Sequence, residues 1–351
     1  MLRILLLLGL VAVLPACGDG QPFFEDPPGG DGGGDDGGGD DGGDDGGVGG
    51  DPDLPPGTER PTPQARIFRF EAEDGQGGGF VRSVRYDAAT DRFTVDNLAF
   101  DGDRPYRRDR DVPTLSGGGR GEPVYAVYEA RTFERDAQTG RPIRQLEYQA
   151  IYGVSARTVR EGGQELPASR FAIVRTGSYA GYGFGGFVYE RNGGVVLPAS
   201  GQARYDGEYA GMRVFDGRPG LEYTRGDVDM AIDFRDFRQG RGVRGEITNR
   251  RAFDQQGRPV PLGTGEGELP LPDLLFTIGP GTMTPNGEMT NALGSRIVRD
   301  GRVADYETGR YYAILGGRNA DEVVGVFVVE SDDPRFDGVR AQETGGFILY
   351  R

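Results

Sequence analysis

The stretch Gly201–Phe215, GQARYDGEYAGMRVF, most restricts the fold that this chain can adopt. Small and aromatic residues alternate along one side of it: Gly201, Ala203, Tyr205, Gly207, Tyr209 and Gly211. The other side is polar and carries Gln202, Arg204, Asp206 and Glu208. Strict alternation is typical of a half-buried β-strand. Because glycines between the rings let a strand bend sharply, we predict the first strand of a small closed barrel.

The pattern Gly-x-Ala-x-Tyr-x-Gly-x-aromatic-x-Gly in this strand resembles the opening barrel strand of the transferrin-binding protein B group of bacterial surface lipoproteins. Three later segments, GDVDMAIDF, GVRGEITN and DEVVGVFVVES, are similar to other barrel strands of that group. The resemblance implies an all-β chain, with a β-rich handle-like N-terminal domain followed by an antiparallel eight-stranded β-barrel. It also implies an acylated, outer-membrane-tethered binding protein without catalytic activity. Only one pair of handle and barrel fits this length, whereas transferrin-binding protein B has two.

The N-terminus has the features of a secretory signal. Arg3 precedes an apolar run of ten residues, Ile4–Val13, which is too short to span a bilayer as a helix. The end of this segment, Leu-Pro-Ala-Cys, resembles a bacterial lipobox, so residues 1–16 are predicted to be the signal peptide and Cys17 the lipidated residue. Acyl chains such as palmitate on Cys17 would anchor the chain in a membrane. Gly18 resembles an outer-membrane sorting residue, and an ordinary signal with an incidental cysteine is the alternative.

Residues 17–65 are low in complexity and rich in Asp and Gly. Thirteen acidic residues and no basic residue lie between Gly18 and Glu59. Such a tract has too little apolar surface to offset its ordering entropy, so we predict a disordered tether. Calcium binding is the alternative, but the calcium-binding β-helix repeat needs an apolar residue in each turn, and the Asp/Gly tract has only Val48.

The remaining chain divides into a β-rich domain at residues 66–195 and the barrel at residues 196–351. Alternating segments such as RIFRFEAE and PVYAVYEARTF predict strands in the first domain, and none shows sustained helical periodicity. The basic run Arg104–Arg110 is interpreted as a solvated loop rather than a nucleic-acid contact. In DEVVGVFVVE both faces are apolar, which predicts that the first domain covers this barrel strand from outside.

Missing residue types restrict the chemistry. The chain has no His and one Cys, and each of its 40 basic residues is Arg. These absences exclude a Ser-His-Asp triad, a Schiff-base lysine and a Cys/His zinc site. Carboxylate catalysis and oxygen-ligand metal sites stay open as alternatives, and we predict no cofactor and no metal. The formal charge is −15 but falls largely in the tether, so no basic face indicates a nucleic-acid partner.

Two sets of residues are candidate sites. Acidic residues on the predicted outer face of one barrel strand are candidates for a glycosidase pair, a metal site or simply a solvated face: Asp227, Asp229, Asp233 and Asp236. Aromatic residues in the glycine-rich segment SYAGYGFGGF could contact a partner or pack between the domains: Tyr179, Tyr182, Phe184 and Phe187.

Three functions follow from these patterns. The first is a binding module for an extracellular protein or small molecule, anchored to the outer membrane and exposed at the cell surface. The second is an envelope structural or assembly lipoprotein, and the third a carboxylate-dependent hydrolase. A buried Asp/Glu pair in a closed pocket would favour the hydrolase.

Overall fold

The computed structural model describes residues 54–72, 81–96, 98, 105–117, 119–131, 135–143, 147–177, 181–236, 240–262, 271–279, 282–299 and 301–351. All regular secondary structure among them is β-strand, which confirms the predicted all-β class. In the same residues no helix is long and apolar enough to cross a bilayer.

The first sheet contains eight antiparallel strands in the order β1-β10-β9-β6-β5-β4-β3-β2. Its strands are β1 (Ile67–Phe70), β2 (Val84–Asp87), β3 (Arg92–Val95), β4 (Tyr106–Arg108), β5 (Val124–Ala130), β6 (Tyr148–Val154), β9 (Ser169–Thr176) and β10 (Gly185–Arg191). A separate hairpin joins β7 (Thr158–Glu161) to β8 (Gln164–Pro167). The basic run at residues 104–110 is not only a loop, because it contains the short strand β4. Arg108 of this strand forms an ion pair with Asp91 at 3.0 Å.

The second sheet is the predicted closed, antiparallel eight-stranded barrel. Its strands follow in chain order: β11 (Gln202–Asp216), β12 (Leu221–Asp236), β13 (Gly240–Phe253), β14 (Leu274–Phe276), β15 (Glu288–Arg299), β16 (Arg302–Gly316), β17 (Glu322–Asp332) and β18 (Arg340–Tyr350). Strand β11 pairs with both β12 and β18, and this second pairing closes the barrel.

Strand β11 has the predicted two faces. Tyr205 and Tyr209 are fully buried in the lumen, whereas Gln202 and Arg204 are exposed. The ring of Tyr209 lies beside Gly345 of β18, where an added Cβ would be 3.0 Å from Tyr209 Cδ2 and 2.3 Å from Phe327 Cζ. A glycine is therefore required there so that two aromatic rings can lie against the backbone.

One apolar core lies between the first sheet and the barrel. On the barrel side, β17 contributes the outward-facing Val324 and Val326. On the sheet side, Phe171 and Phe187 belong to the same cluster. The inward-facing Phe327 packs in the lumen instead, so β17 is buried on both faces as its sequence predicts.

The folded part begins earlier than composition predicts. The Pro-rich residues 54–65, assigned to the tether, lie along β1, where the Thr58 amide donates to the Phe68 carbonyl at 3.1 Å. Farther along, the Val195 amide donates to the Pro63 carbonyl at 2.6 Å. Proline fixes the backbone of such a segment in an extended form, so ordering it costs little entropy.

Candidate functional site

Side chains fill the barrel lumen. Aromatic and aliphatic residues from all eight strands form one buried cluster there. Phe276 and Tyr311 stack with centroids 4.3 Å apart, and Tyr209 meets Phe327 edge-on at 5.2 Å. Packing of this kind is typical of small barrels, whose lumen is just wide enough for side chains.

A buried ion network occupies the polar part of the lumen. Arg250 is fully buried and donates to Glu307 at 2.7 and 2.9 Å and to Glu343 at 2.8 Å. The remaining acceptor positions are used as well, because Glu343 Oε1 accepts from Tyr209 and Thr224, each at 3.0 Å. Every carboxylate oxygen in this pair therefore has a donor from the protein.

The pKa of Glu307 does not suit acid catalysis. Burial on its own raises the pKa of Glu307, but the neighbouring Arg250 outweighs that effect, and the net pKa is lowered. A glycosidase acid needs a carboxyl group with a raised pKa, so Glu307 in this network lacks the property that the acid of a hydrolase requires.

The acidic residues of β12 lie on its outer face, as predicted, and have partners on neighbouring strands. Asp229 forms an ion pair with Arg204, and Asp227 accepts from the Asn249 side-chain amide at 2.6 Å. Asp233 accepts from Gln202 at 2.9 Å, which lowers its pKa. The side chain of Asp236 lies outside the described residues. Cross-strand pairing thus accounts for the described members of this set.

The aromatic candidates point in different directions. Phe187 is buried at 2% exposure, and its ring stacks on Tyr312 of the barrel at 6.1 Å. Tyr182 and Phe184 are half-buried, Tyr182 against the core between sheet and barrel and Phe184 against the opposite face of the sheet. Tyr179 lies outside the described residues. Of the described rings, Tyr182 and Phe184 are partly exposed and therefore accessible to a partner.

A cleft of about 470 Å³ opens where the first sheet, the hairpin β7–β8 and one end of the barrel meet. We call it the junction cleft. Its walls are β7, the start of β9, the segment after β10 and the turn from β16 to β17. Charged residues from these separate segments line it: Arg157, Arg160, Arg191, Arg318, Asp321 and Glu322. Ligand sites commonly lie in clefts of this size between packed units.

Glu322 is the buried carboxylate of the junction cleft, 2% exposed. It accepts hydrogen bonds from the hydroxyls of Ser155, at 2.9 Å, and of Ser169. Burial raises its pKa. Ser155 also lies 3.1 Å from the Tyr350 hydroxyl, so residues of the first sheet and of the barrel together build this wall.

Arg157 is fixed at the rim of the cleft. It donates to the Asp321 carbonyl at 2.6 Å, and its guanidinium lies 4.3 Å from the centroid of the Tyr350 ring. The Asp321 carboxylate lies 3.7 Å away. A stacked and hydrogen-bonded guanidinium loses little further entropy when it binds a ligand.

A second cleft, of about 560 Å³, lies beside β4 and β5 and is lined by both acids and arginines. Its buried member Asp109 caps the amides of Asp111 and Val112, each at 2.8 Å. Burial raises the pKa of Asp109. These local bonds account for Asp109 as part of a turn.

No pattern in the sequence indicates the junction cleft. Arg157 and Arg160 share one segment, and the other two arginines lie in separate, distant segments of a chain that has arginine throughout. Only the pairing of strands brings them together. The predicted lipidation site, Cys17, lies outside the described residues.

No protein-family model and no curated protein matches the chain. Among solved structures, one described as a surface lipoprotein is similar, with a TM-score of 0.26 and 12% identity over 54% of this chain and 79% of that one. Two mutants of transferrin-binding protein B from Haemophilus parasuis Hp5 give TM-scores of 0.28 and 0.29, with 10% and 9% identity over 77% and 83% of this chain. The chain spans 66% and 67% of those two proteins. Two of these three proteins carry the name of the group that the strand motif resembles, and similarity this low supports no statement about ligand or partner.

Proposed function

We propose that this chain is an outer-membrane-anchored lipoprotein that acts as a non-catalytic binding module, with its ligand in the junction cleft. One observation carries the proposal: side chains fill the barrel lumen, whereas the junction cleft is open and lined by charged groups. A solute can therefore reach polar groups at the junction without disturbing the barrel core.

Local bonding supports a function without catalysis. In the lumen, Glu307 and Glu343 are occupied by Arg250 and by hydroxyl donors. On β12, the described aspartates are occupied by cross-strand partners. In both places the carboxylates are paired within the barrel, and neither place needs a second role to explain its residues.

The anchor is proposed from the sequence alone. A charged start, a short apolar run and the lipobox-like ending place the only cysteine of the chain, Cys17, where a lipoprotein signal is cut. The acidic, glycine-rich residues after it predict a tether between the lipid and the folded part.

Replacing Cys17 tests the anchor. Cys17→Ser should remove the acceptor sulfur, so the chain should remain uncleaved or leave the membrane fraction. Detergent partitioning and the size of the chain in envelope fractions measure this, and Ser83→Ala provides a control that leaves the cysteine intact. Normal cleavage and unchanged partitioning of Cys17→Ser would contradict lipid attachment.

Blocking the cleft tests the binding site. Thr158 is exposed on β7 and lines the cleft, so Thr158→Trp should fill part of it. Gln164 is exposed on the paired strand β8 and lies outside the cleft lining, which makes Gln164→Trp the matched control. Equilibrium dialysis of the full chain against the small-solute fraction of native medium, read by mass spectrometry, should show a solute retained by wild type and by Gln164→Trp but not by Thr158→Trp. Retention of no solute by wild type would favour the structural or assembly role.

A protein partner at the glycine-rich loop remains a separate prediction. Tyr182 and Phe184 are its described half-buried rings, and Tyr182 also carries a hydroxyl whose pKa is raised to about 12 by burial. If this loop contacts a protein, cross-linking in cells should give a species with the wild-type chain that is absent with Tyr182→Ala.

A further inference from the structure

The junction cleft has an excess of positive charge. Four arginines and two acidic residues line it, and one of the acids, Asp321, already faces Arg157. Arg160 and Arg318 are exposed, and neither has an ion pair with another described residue. Both therefore lack a competing carboxylate in the part of the chain that the structure describes, one on β7 and the other in the β16–β17 turn.

Arg191 adds a charge behind this surface. It is 1% exposed, and its five N–H groups meet five backbone carbonyls, those of Thr62, Ala65, Gly193, Asn286 and Leu315. Burial lowers the pKa of Arg191 to about 10, so it stays charged at neutral pH. Its N–H groups are satisfied by carbonyls and no ion pair joins it to a described carboxylate, although the nearby Glu288 favours its charged form. Arg191 therefore adds a positive charge to the cleft wall.

The buried carboxylate offsets only part of this positive charge, because four arginines line the cleft with two acidic residues. Glu322 is bonded to the hydroxyls of Ser155 and Ser169, and none of the arginines that line the cleft donates to it among the described contacts. Apolar side chains also line the cleft, including Val159, Ile314 and Val324. The cleft thus offers cationic groups at its rim and apolar contact beside them.

We propose that the junction cleft binds the anionic group of a small solute, a phosphate or a carboxylate, between Arg157, Arg160 and Arg318. Arginine presents planar, forked donors that match both groups, and such charge-assisted bonds are stronger than neutral ones. A cleft of about 470 Å³ holds a small molecule and not a folded partner. This inference rests on the proposed function and specifies its ligand class.

Two probes separate the two anions. The full chain would be titrated calorimetrically with inorganic phosphate and with citrate at low salt, and the affinity should fall as salt is added. The double variant Arg160→Gln with Arg318→Gln should lose at least about tenfold in affinity, because two charge-assisted contacts are removed. The matched control, Arg85→Gln with Arg251→Gln, replaces two exposed arginines outside the cleft lining and should bind as wild type does.

The outcomes are distinct. Binding of phosphate alone or of citrate alone supports the proposal and selects the ligand group. Equal affinities for wild type and the cleft double variant, or no binding of either probe by wild type, would overturn it. If dialysis instead yields a neutral solute that Thr158→Trp excludes, the anion assignment fails while the proposed binding function stands.

Discussion

Loss of Arg250 should strongly lower the stability of the barrel. It forms ion pairs with both Glu307 and Glu343 inside the lumen, at 0% exposure. Arg250→Ala leaves two buried carboxylates without their ion-pair partner, and we expect a loss of about 3–5 kcal/mol in the free energy of unfolding. Arg251 is the matched control, because it is the next residue of β13 and is exposed, and Arg251→Ala should stay within about 0.5 kcal/mol. Urea denaturation measures both, and equal losses would show that the assignment of faces in β13 is wrong.

Glu322 should give the stability of the chain a specific dependence on pH. Burial raises its pKa, so the folded chain binds this proton more tightly than the unfolded chain does. Stability from this group is therefore present at low pH and declines as pH rises through the folded-state pKa. Each unit of increase corresponds to about 1.4 kcal/mol.

Glu322→Gln should remove that dependence. Relative to wild type, the variant should gain stability as pH rises from about 4 to about 8, because the amide cannot ionise in the buried site. Thermal denaturation across this range measures the difference, and Glu165→Gln, which replaces an exposed glutamate, is the control. A constant difference between wild type and Glu322→Gln would contradict the shifted pKa.

The alternation of residues along strand β11 assigns its buried and exposed faces. Tyr205 is buried and donates to the Ala320 carbonyl at 2.6 Å, so Tyr205→Ala should cost about 3–5 kcal/mol. Gly207→Val should overpack by about 1–3 kcal/mol, since a Cβ there would lie 2.9 Å from the Ile348 carbonyl oxygen. Gln202→Ala, on the exposed face, should change stability by less than about 0.5 kcal/mol.

The exposed control in this strand is Gln202 and not Glu208. Glu208 is on the outer face, but its carboxylate accepts the Gly117 amide at 2.6 Å, so the first sheet partly covers it. Denaturation of the three variants tests the register. A severe effect of Gln202→Ala with a harmless Tyr205→Ala would mean a slip of one residue, because such a slip exchanges the two faces.

Strands were predictable where one face is apolar and the other polar. Strand β15 shows why others were not. Its polar Ser295 faces the lumen and bonds to Glu307 at 2.6 Å, and its polar Thr290 is also buried. The strand therefore lacks the alternation of apolar and polar residues that identifies a half-buried strand. Whether a polar residue is buried at such a position depends on contacts with segments that are distant in the sequence. The same holds for the cleft, because no local pattern distinguishes Arg160 or Arg318 from other arginines.

At the scale of the whole molecule, polar bonds join the first sheet to the barrel through buried residues. The Tyr125 hydroxyl donates to the Glu208 carbonyl at 2.7 Å and accepts the Ile348 amide at 3.0 Å. Arg69 of β1 donates to Glu288 of β15 at 2.7 Å, with both side chains nearly inaccessible. Breaking such contacts would leave buried groups unpaired, so we propose that residues 66–195 and 196–351 form two domains that fold as one unit.

This coupling predicts that the barrel domain will not form a well-defined monomer on its own. Removing residues 1–195 would expose outward-facing side chains of β11, β17 and β18, including Met212, Val324, Val326 and Ile348. A contiguous apolar surface of this kind favours association.

Residues 196–351 should therefore aggregate or bind a hydrophobic dye. Residues 54–351, which keep the first sheet and the segment along β1, should instead elute as a defined species without dye binding. Size-exclusion chromatography and dye fluorescence compare the two. A barrel fragment that elutes as a monomer and binds no dye would show that the first sheet is not needed to cover it.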